Sequence, residues 1–130
     1  MPHLQFEINK KVSDDTKKSF CEKIRESFAK IMDTQTGHIA ISIREYEPFN
    51  LSIGRVNIGD EVCLMNLDIR DGRLIEKRRE LALVYMSIVN DEFKIPNNNQ
   101  YITFTQHDGE DFHLIEKYLS SWASGEDPLA

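Results

Sequence analysis

The sequence predicts one α/β (α+β) domain in which a four-stranded mixed sheet carries two helices on one face. Two observations lead to this fold class. Short segments with alternating apolar and polar residues are separated by longer segments with helical periodicity, and the order strand–helix–strand occurs twice. The residues 6–10 that precede the first helical segment also resemble residues 67–71, which precede the second. We therefore expect two pseudo-repeated β-α-β units, each with a right-handed crossover.

The first unit is predicted to contain a strand, a helix and a second strand. Apolar and polar residues alternate over 2–9, which is the period of a sheet with one buried face. Ser13 supplies an N-cap oxygen, and residues 33–37 end the helix. Residues 39–44 alternate again and predict the second strand. The helical stripe between them consists of Phe20, Ile24, Phe28 and Ile31.

The second unit begins after a polar excursion over residues 46–60, where we expect at most a short strand near 55–57. Residues 62–69 are mostly apolar and predict a central strand. A long helix follows from about Leu74 to Phe93. Its middle is apolar all round, which indicates a helix covered on more than one side.

The end of the chain carries weaker signals. Residues 101–105 predict a fourth strand, and apolar residues between 112 and 122 form a weak helical pattern. Residues from about 123 to 130 are interpreted as a loose tail. At this length we expect a single domain over residues 1–130.

Composition excludes several classes of protein. The 16 Lys and Arg against 22 Asp and Glu give a net charge of −6, which argues against broad contact with nucleic acid. No apolar run approaches the ~20 residues of a membrane span, and residues 1–20 lack the central apolar stretch expected of a secretion signal. Cys21 and Cys63 form no disulfide framework, and no Cys/His cluster has zinc spacing. We predict a cytoplasmic protein without nucleic-acid or membrane partners, metal or cofactor.

The sheet face away from the helices is predicted to be polar. It is too polar for a second packed layer, yet its residues alternate with core residues. We therefore expect several sheets to associate around a shared, partly wet interior, with a plain α+β monomer as the alternative. The polar residues concerned are Gln5, Glu7, Ser42, Arg44, Asn66, Asp68 and Thr103.

Pro2 is the first candidate catalytic residue. Proline is small enough for the initiator Met1 to be removed, which leaves a secondary amine at the start of a strand. In an apolar pocket beside cations, such an amine has a lowered pKa and becomes a general base suited to neutral pH. The alternative is an ordinary second residue on an edge strand.

Arg70 and Arg73 are the second candidate feature. They flank a strand-to-helix turn, where backbone N–H groups and the helix dipole favour an anion. Guanidinium groups bind carboxylates bidentately, so the pair can hold an acid group and lower the pKa of a nearby amine. Two solvated turn arginines are the alternative.

Four further residues carry weaker signals, each with an ordinary explanation beside the functional one. Arg44 is a candidate anion ligand or a surface charge, and His38 is a candidate proton donor or an exposed capping histidine. Glu116 is a candidate water activator or part of a solvated helix face. Phe104 is a candidate pocket wall or a core residue.

Taken together, these features resemble the tautomerase superfamily over residues 2 to about 105. The opening Met1-Pro2-His3-Leu4-Gln5-Phe6-Glu7-Ile8 is similar to the malonate semialdehyde decarboxylase group, and Arg70-Asp71-Gly72-Arg73 to the cis-3-chloroacrylic acid dehalogenase group. Residues 38–43 and 94–96 are similar to macrophage migration inhibitory factor and its relatives. The resemblance implies a duplicated β-α-β fold, a homotrimer with pockets at subunit boundaries, and chemistry without cofactor or metal.

The resemblance also implies roles for individual residues. Pro2 is the general base or acid, and Arg70 and Arg73 bind and polarise the carboxylate of a small substrate. Glu116 matches a water-activating glutamate with a one-residue shift, and Phe104 stands about where the dehalogenase group has a tyrosine. His38 and Arg44 are additional substrate contacts.

The implied activity is keto–enol proton transfer on a small 2-oxo carboxylate. One alternative is a hydratase, dehalogenase or decarboxylase acting on three-carbon unsaturated or oxo acids of the malonate semialdehyde type. Another alternative, of a different class, is a non-catalytic trimeric interaction protein.

Overall fold

The computed structural model describes residues 2–114, which fold into two β-α-β units as the sequence predicts. The central strands of the sheet, one from each unit, are antiparallel, and each outer strand is parallel to the central strand of its own unit, in the order β2-β1-β3-β4. The predicted mixed sheet with two helices is confirmed. The elements are β1 (His3–Ile8), α1 (Asp14–Met32), β2 (Ala40–Glu45), β3 (Cys63–Arg70), α2 (Ile75–Phe93) and β4 (Gln100–His107).

Both helix termini of α1 follow from local chemistry. The Ser13 hydroxyl accepts a hydrogen bond from the Thr16 N–H at 3.1 Å, which satisfies one of the free donors of the first turn. Asp33 ends the helix in the left-handed conformation at φ 52°, and its N–H bonds to the Ala29 carbonyl. The predicted start and end of α1 are therefore confirmed.

The hydrophobic core lies between the sheet and the two helices. Alternate residues of β1 and β3 point into it, and the Phe6 ring meets the Phe20 ring edge to face at 4.8 Å between centroids. Phe20 in turn stacks on Phe93, which joins the two helices. The buried Tyr85 hydroxyl donates a hydrogen bond to the Ile24 carbonyl at 3.1 Å, so α2 is fixed against α1.

The opposite face of the sheet is polar, as predicted, and its side chains are connected across the strands. Gln5 donates to Asp68 at 2.7 Å and accepts from Arg44 at 3.2 Å. Asn66 accepts from the hydroxyls of Thr103 and Thr105, both at 3.0 Å. We call this surface, formed by residues 5, 44, 66, 68, 103 and 105, the open face.

The predicted short strand near residues 55–57 is wrong. The Val56 N–H bonds to the Ile53 carbonyl and the Asp60 N–H to the Asn57 carbonyl, so the chain makes consecutive turns and has no free edge for pairing. The excursion is held to the sheet by Asn9, which is 2% exposed. The Asn9 side chain donates to the carbonyls of Pro48 and Asp60 and accepts from the Val62 N–H, at 2.8 to 2.9 Å.

Two other expectations for the second half have mixed outcomes. β4 extends beyond the predicted strand at both ends. The middle of α2 is not covered on more than one side within the chain, because Leu83 points away from the core and is 70% exposed. A short 3-10 helix at Gly109–Asp111 follows β4, whereas the predicted helical pattern reaching residue 122 and the tail at 123–130 lie mostly outside the described residues.

Candidate functional site

The topology brings the main predicted site residues to one edge of the sheet. β1 and β2 begin at this edge, whereas β3 and β4 end there. Because α1 leads into β2 and α2 follows β3, the carboxyl end of α1 and the amino end of α2 lie at the same edge. Pro2, the segment 33–39 and the turn 70–73 therefore surround one region.

Pro2 is buried and is part of the sheet hydrogen bonding. Its carbonyl accepts a bond from the Ala40 N–H at 3.1 Å, which fixes it to the start of β2. On the other side, the antiparallel register pairs His3 with Asp68. Pro2 therefore lies next to the end of β3, which leads through Arg70 into the turn 70–73.

Arg73 is fixed by the first helix. Its Nη1 donates to the Met32 carbonyl at 2.6 Å, near the carboxyl end of α1. Burial, and to a lesser extent the positive charge of Arg70, lowers the pKa of Arg73 to about 10, while Asp33 opposes the change. The guanidinium still carries its charge at neutral pH, in a site where an anion would offset both the burial and the repulsion from Arg70.

Arg70 and Arg73 both retain hydrogen-bonding capacity. Arg70 Nη1 donates to the adjacent Asp71 carbonyl at 2.8 Å, and the Nε atoms of both arginines are buried without a partner among the described residues. Leu74 gives the amino end of α2 no side-chain cap, so its first N–H groups also favour an anion. The arrangement can hold a small carboxylate.

Gly72 shapes the turn between the two arginines. Its φ of +85° lies in the left-handed region, where a residue with a Cβ is strained. A Cβ built there would lie 3.3 Å from Arg70 Nη1, so it would also crowd the guanidinium.

His38 lies at the same edge and is 5% exposed, so it is not the exposed capping histidine of the alternative explanation. Its Nε2 is 3.3 Å from the Thr34 hydroxyl. Burial, and to a lesser extent the positive charges of the chain's amino terminus and of Arg73, lowers the pKa of His38 to about 4. The imidazole is therefore neutral at pH 7, and both positive charges lie near enough to disfavour its protonated form.

The remaining predicted site residues are not gathered around Pro2 within the described chain. Arg44 lies opposite Glu7, five residues along β1 from Pro2, which is about 17 Å at about 3.3 Å per residue. Phe104 is paired with Leu67 and packs, partly buried, against the core. Glu116 lies outside the described residues.

Two contacts near the site have no signal in the sequence pattern. The Met32 carbonyl, which holds Arg73, is a backbone group with no residue-type signature. His107 lies beside Arg70 on β4, and its Nε2 is 3.2 Å from Asp68 Oδ1. By contrast, the contact between Thr34 and His38 joins residues four positions apart, and this spacing is its signal in the sequence.

Two cavities of the described residues lie away from Pro2 and the arginine pair. A cavity of about 280 Å³ on the open face is lined by Glu7, Arg44 and Tyr101, among others. A second, of about 390 Å³, lies beside Asn9 and Lys11 at the opposite edge. Within residues 2–114, no group of three or more His, Cys, Asp or Glu residues is arranged to hold a metal ion, and no helix is long and apolar enough to cross a membrane.

Comparison with known proteins identifies the fold. No sequence-family profile and no curated protein matches the chain. A solved structure of a fused 4-OT, wild type, in the form of a symmetric trimer superposes with a TM-score of 0.80 at 16% identity, covering 95% of this chain and 99% of the other.

Two further solved structures have the same architecture. Pt0534 inactivated by 2-oxo-3-pentynoate gives a TM-score of 0.77 at 12% identity, covering 87% of this chain and 92% of the other. FG41 malonate semialdehyde decarboxylase inhibited by 3-bromopropiolate gives 0.71 at 9% identity, covering 85% and 86%. Macrophage migration inhibitory factors share the fold as well.

The chain therefore has the duplicated β-α-β fold of these solved structures, and the resemblance found in the sequence is confirmed at the level of the fold.

Proposed function

We propose that this protein is a tautomerase-type enzyme in which Pro2, after removal of Met1, transfers a proton between oxygen and carbon of a small 2-oxo carboxylate. The observation that supports the proposal is the strand register, which brings the start of β1, next to Pro2, to the edge of the sheet where β3 ends at Arg70. The interaction of Arg70 with Arg73 then puts a second guanidinium in the same region.

The environment of Pro2 supports a role as general base. The residue is buried, and two guanidinium groups lie at the same edge of the sheet. Burial and nearby positive charge both disfavour a protonated amine, so we expect its pKa to fall toward neutrality. An amine of this kind is partly unprotonated at pH 7 and can accept a proton directly.

The reaction needs only proton transfer and charge stabilisation. Arg70 and Arg73 hold the substrate carboxylate with their guanidinium groups, which can bind it bidentately. The unprotonated Pro2 nitrogen takes the proton from the enol hydroxyl, and the enolate charge is stabilised by the arginines. The resulting Pro2 ammonium returns a proton to the carbon, so the keto product forms and the amine is regenerated.

We further propose that the protein assembles as a homotrimer through the open face. That face is polar and connected by hydrogen bonds, which suits a wet interface between sheets. The fused 4-OT with the same fold forms a symmetric trimer. In a trimer, the open-face cavity lined by Arg44 would lie between subunits, which gives Arg44 a possible place in a shared site.

Ketonisation of phenylenolpyruvate tests the proposal. Pro2→Ala, or acetylation of the Pro2 amine, is expected to lower kcat by about 10²–10⁴-fold, the usual contribution of a general base. Arg70→Gln and Arg73→Gln are expected to raise KM by about 10–100-fold, since each removes hydrogen bonds to a charged group. Arg79→Gln, an exposed charge on α2, is the control.

Full turnover by both the Pro2→Ala variant and the acetylated protein would exclude the proton-transfer role. Incubation with a three-carbon acetylenic acid distinguishes the tautomerase from the alternative, a hydratase, dehalogenase or decarboxylase. The fold shared with the decarboxylase supports that alternative. Formation of malonate semialdehyde from that acid indicates hydration, whereas turnover of phenylenolpyruvate alone indicates a tautomerase. Absence of both activities in a folded trimer favours the interaction protein.

A further inference from the structure

We infer that His38 is a positioning residue whose imidazole ties the carboxyl end of α1, which anchors Arg73, to the start of β2, which anchors Pro2. The inference rests on the proposed function and adds a residue to its site. It concerns the segment 32–34, to which both His38 and Arg73 are attached.

The segment 32–34 is held on one side by the helix it ends. The Thr34 N–H bonds to the Ala29 carbonyl at 3.0 Å, and Asp33 takes the left-handed conformation that turns the chain out of α1. Its Met32 carbonyl then accepts the 2.6 Å bond from Arg73. Any shift of this segment therefore moves the anchor of the guanidinium.

His38 holds the same segment from the other side. Its Nε2 meets the Thr34 hydroxyl at 3.3 Å, and the Ile39 N–H bonds back to the Thr36 carbonyl at 3.2 Å, which closes the turn into β2. Two residues later, Ala40 bonds to the Pro2 carbonyl. One short path of hydrogen bonds thus connects the Arg73 anchor with the Pro2 backbone.

The charges around His38 explain why a neutral polar group belongs at this position. The positive charge of Arg73, on the side of the β3–α2 turn, acts on His38, as does that of the chain's amino terminus, and Asp33 at the end of α1 is a carboxylate that acts on Arg73. A further cation at residue 38 would repel the Arg73 guanidinium. A neutral imidazole makes the hydrogen bond to Thr34 without adding charge.

The test compares His38→Gln and His38→Leu. Glutamine places an amide near the position of Nε2 and keeps the bond to Thr34, whereas leucine fills the space without a polar atom. With phenylenolpyruvate, His38→Leu is expected to raise KM at least tenfold with less than a threefold change in kcat, because Arg73 binds the carboxylate. For His38→Gln, both KM and kcat are expected to stay within threefold of their values in the unsubstituted protein.

A second pair of variants and a second measurement keep the inference testable without turnover. Thr34→Val removes the hydroxyl at constant shape, and Thr34→Ser retains it. The solvent exchange of the buried Arg73 Nε–H, measured by nitrogen-15 NMR, is expected to become at least fivefold faster in Thr34→Val and to be unchanged in Thr34→Ser.

The outcomes separate the two claims. If the unchanged protein has no Pro2-dependent turnover, the proposed function fails, and the exchange measurement still decides the role of His38. If Arg73 exchange is the same in Thr34→Val and Thr34→Ser, or if His38→Leu keeps the original KM, the positioning role is overturned.

Discussion

Replacement of His38 by glutamine is expected to change how the stability of the protein depends on pH. The pKa of His38 is lowered from 6.5 to about 4 in the folded protein, chiefly by burial. Between these two values, the unfolded chain binds a proton at His38 that the folded protein does not. Stability therefore rises with pH in this window and is lost as the pH falls from 6.5 toward 4.

The size of the effect follows from the displacement of the pKa. At about 1.36 kcal/mol for each pKa unit, acidification from pH 7.5 to 4.5 removes about 2.5 kcal/mol through this one residue. The His38→Gln variant has no titrating group at this position and lacks this loss. Relative to the protein with His38, the free energy of unfolding of the variant is therefore expected to increase by that amount on acidification.

Urea unfolding followed by circular dichroism at pH 7.5, 6.5, 5.5 and 4.5 measures the difference. Other titrating groups cancel to first order because the two proteins differ only at residue 38. Parallel stability curves for the two proteins would refute the reasoning, since they would show that His38 binds its proton equally well in the folded and unfolded states.

Three further predictions concern the packing that supports the site, each measured by urea unfolding. Tyr85→Phe is expected to cost about 1–2 kcal/mol, because the buried Ile24 carbonyl loses its donor, and no loss would show that this hydrogen bond does not stabilise the helix pair. Asn9→Ala is expected to cost about 2–4 kcal/mol and to expose the 46–62 excursion to limited proteolysis, whereas resistance to the protease would contradict its anchoring role. Gly72→Ala is expected to cost about 1–2 kcal/mol through its positive φ and to raise KM by crowding Arg70, whereas an unchanged KM would show that the turn does not control the guanidinium.

The parts of the fold that follow from local pattern were predictable from the sequence. The alternation over β1 and the stripe of Phe20, Ile24, Phe28 and Ile31 each depend on neighbours within one element, so their buried faces could be assigned directly. The excursion could not, because it is organised by Asn9 through bonds to residues 39 to 53 positions away. The short strand expected near 55–57 is replaced by turns for the same reason.

The site was predictable to a similar degree. The position of Pro2 at a strand start and of two arginines in a strand-to-helix turn brings them to one edge once the central strands are antiparallel. The burial of His38 and the Met32 anchor of Arg73 depend on how α1 ends against the turn 70–73, which no spacing in the sequence specifies. The open-face position of Arg44 follows from strand alternation, but its distance from Pro2 depends on the register.

The most direct test of the proposed mechanism is covalent labelling of the Met1-free protein by 2-oxo-3-pentynoate, the compound that inactivated Pt0534. An unprotonated secondary amine adds to the alkyne carbon β to the keto group, a C–N bond forms as one π bond of the alkyne breaks, and the amine proton moves to the α carbon. Intact mass and peptide mapping at pH 7.5 are expected to show one adduct, with the full mass of the reagent, on Pro2. Labelling is expected to slow in Arg73→Gln and to stop in acetylated protein. An unlabelled Pro2, or labelling at the same rate without Arg73, would contradict a reactive amine placed beside a carboxylate-binding arginine.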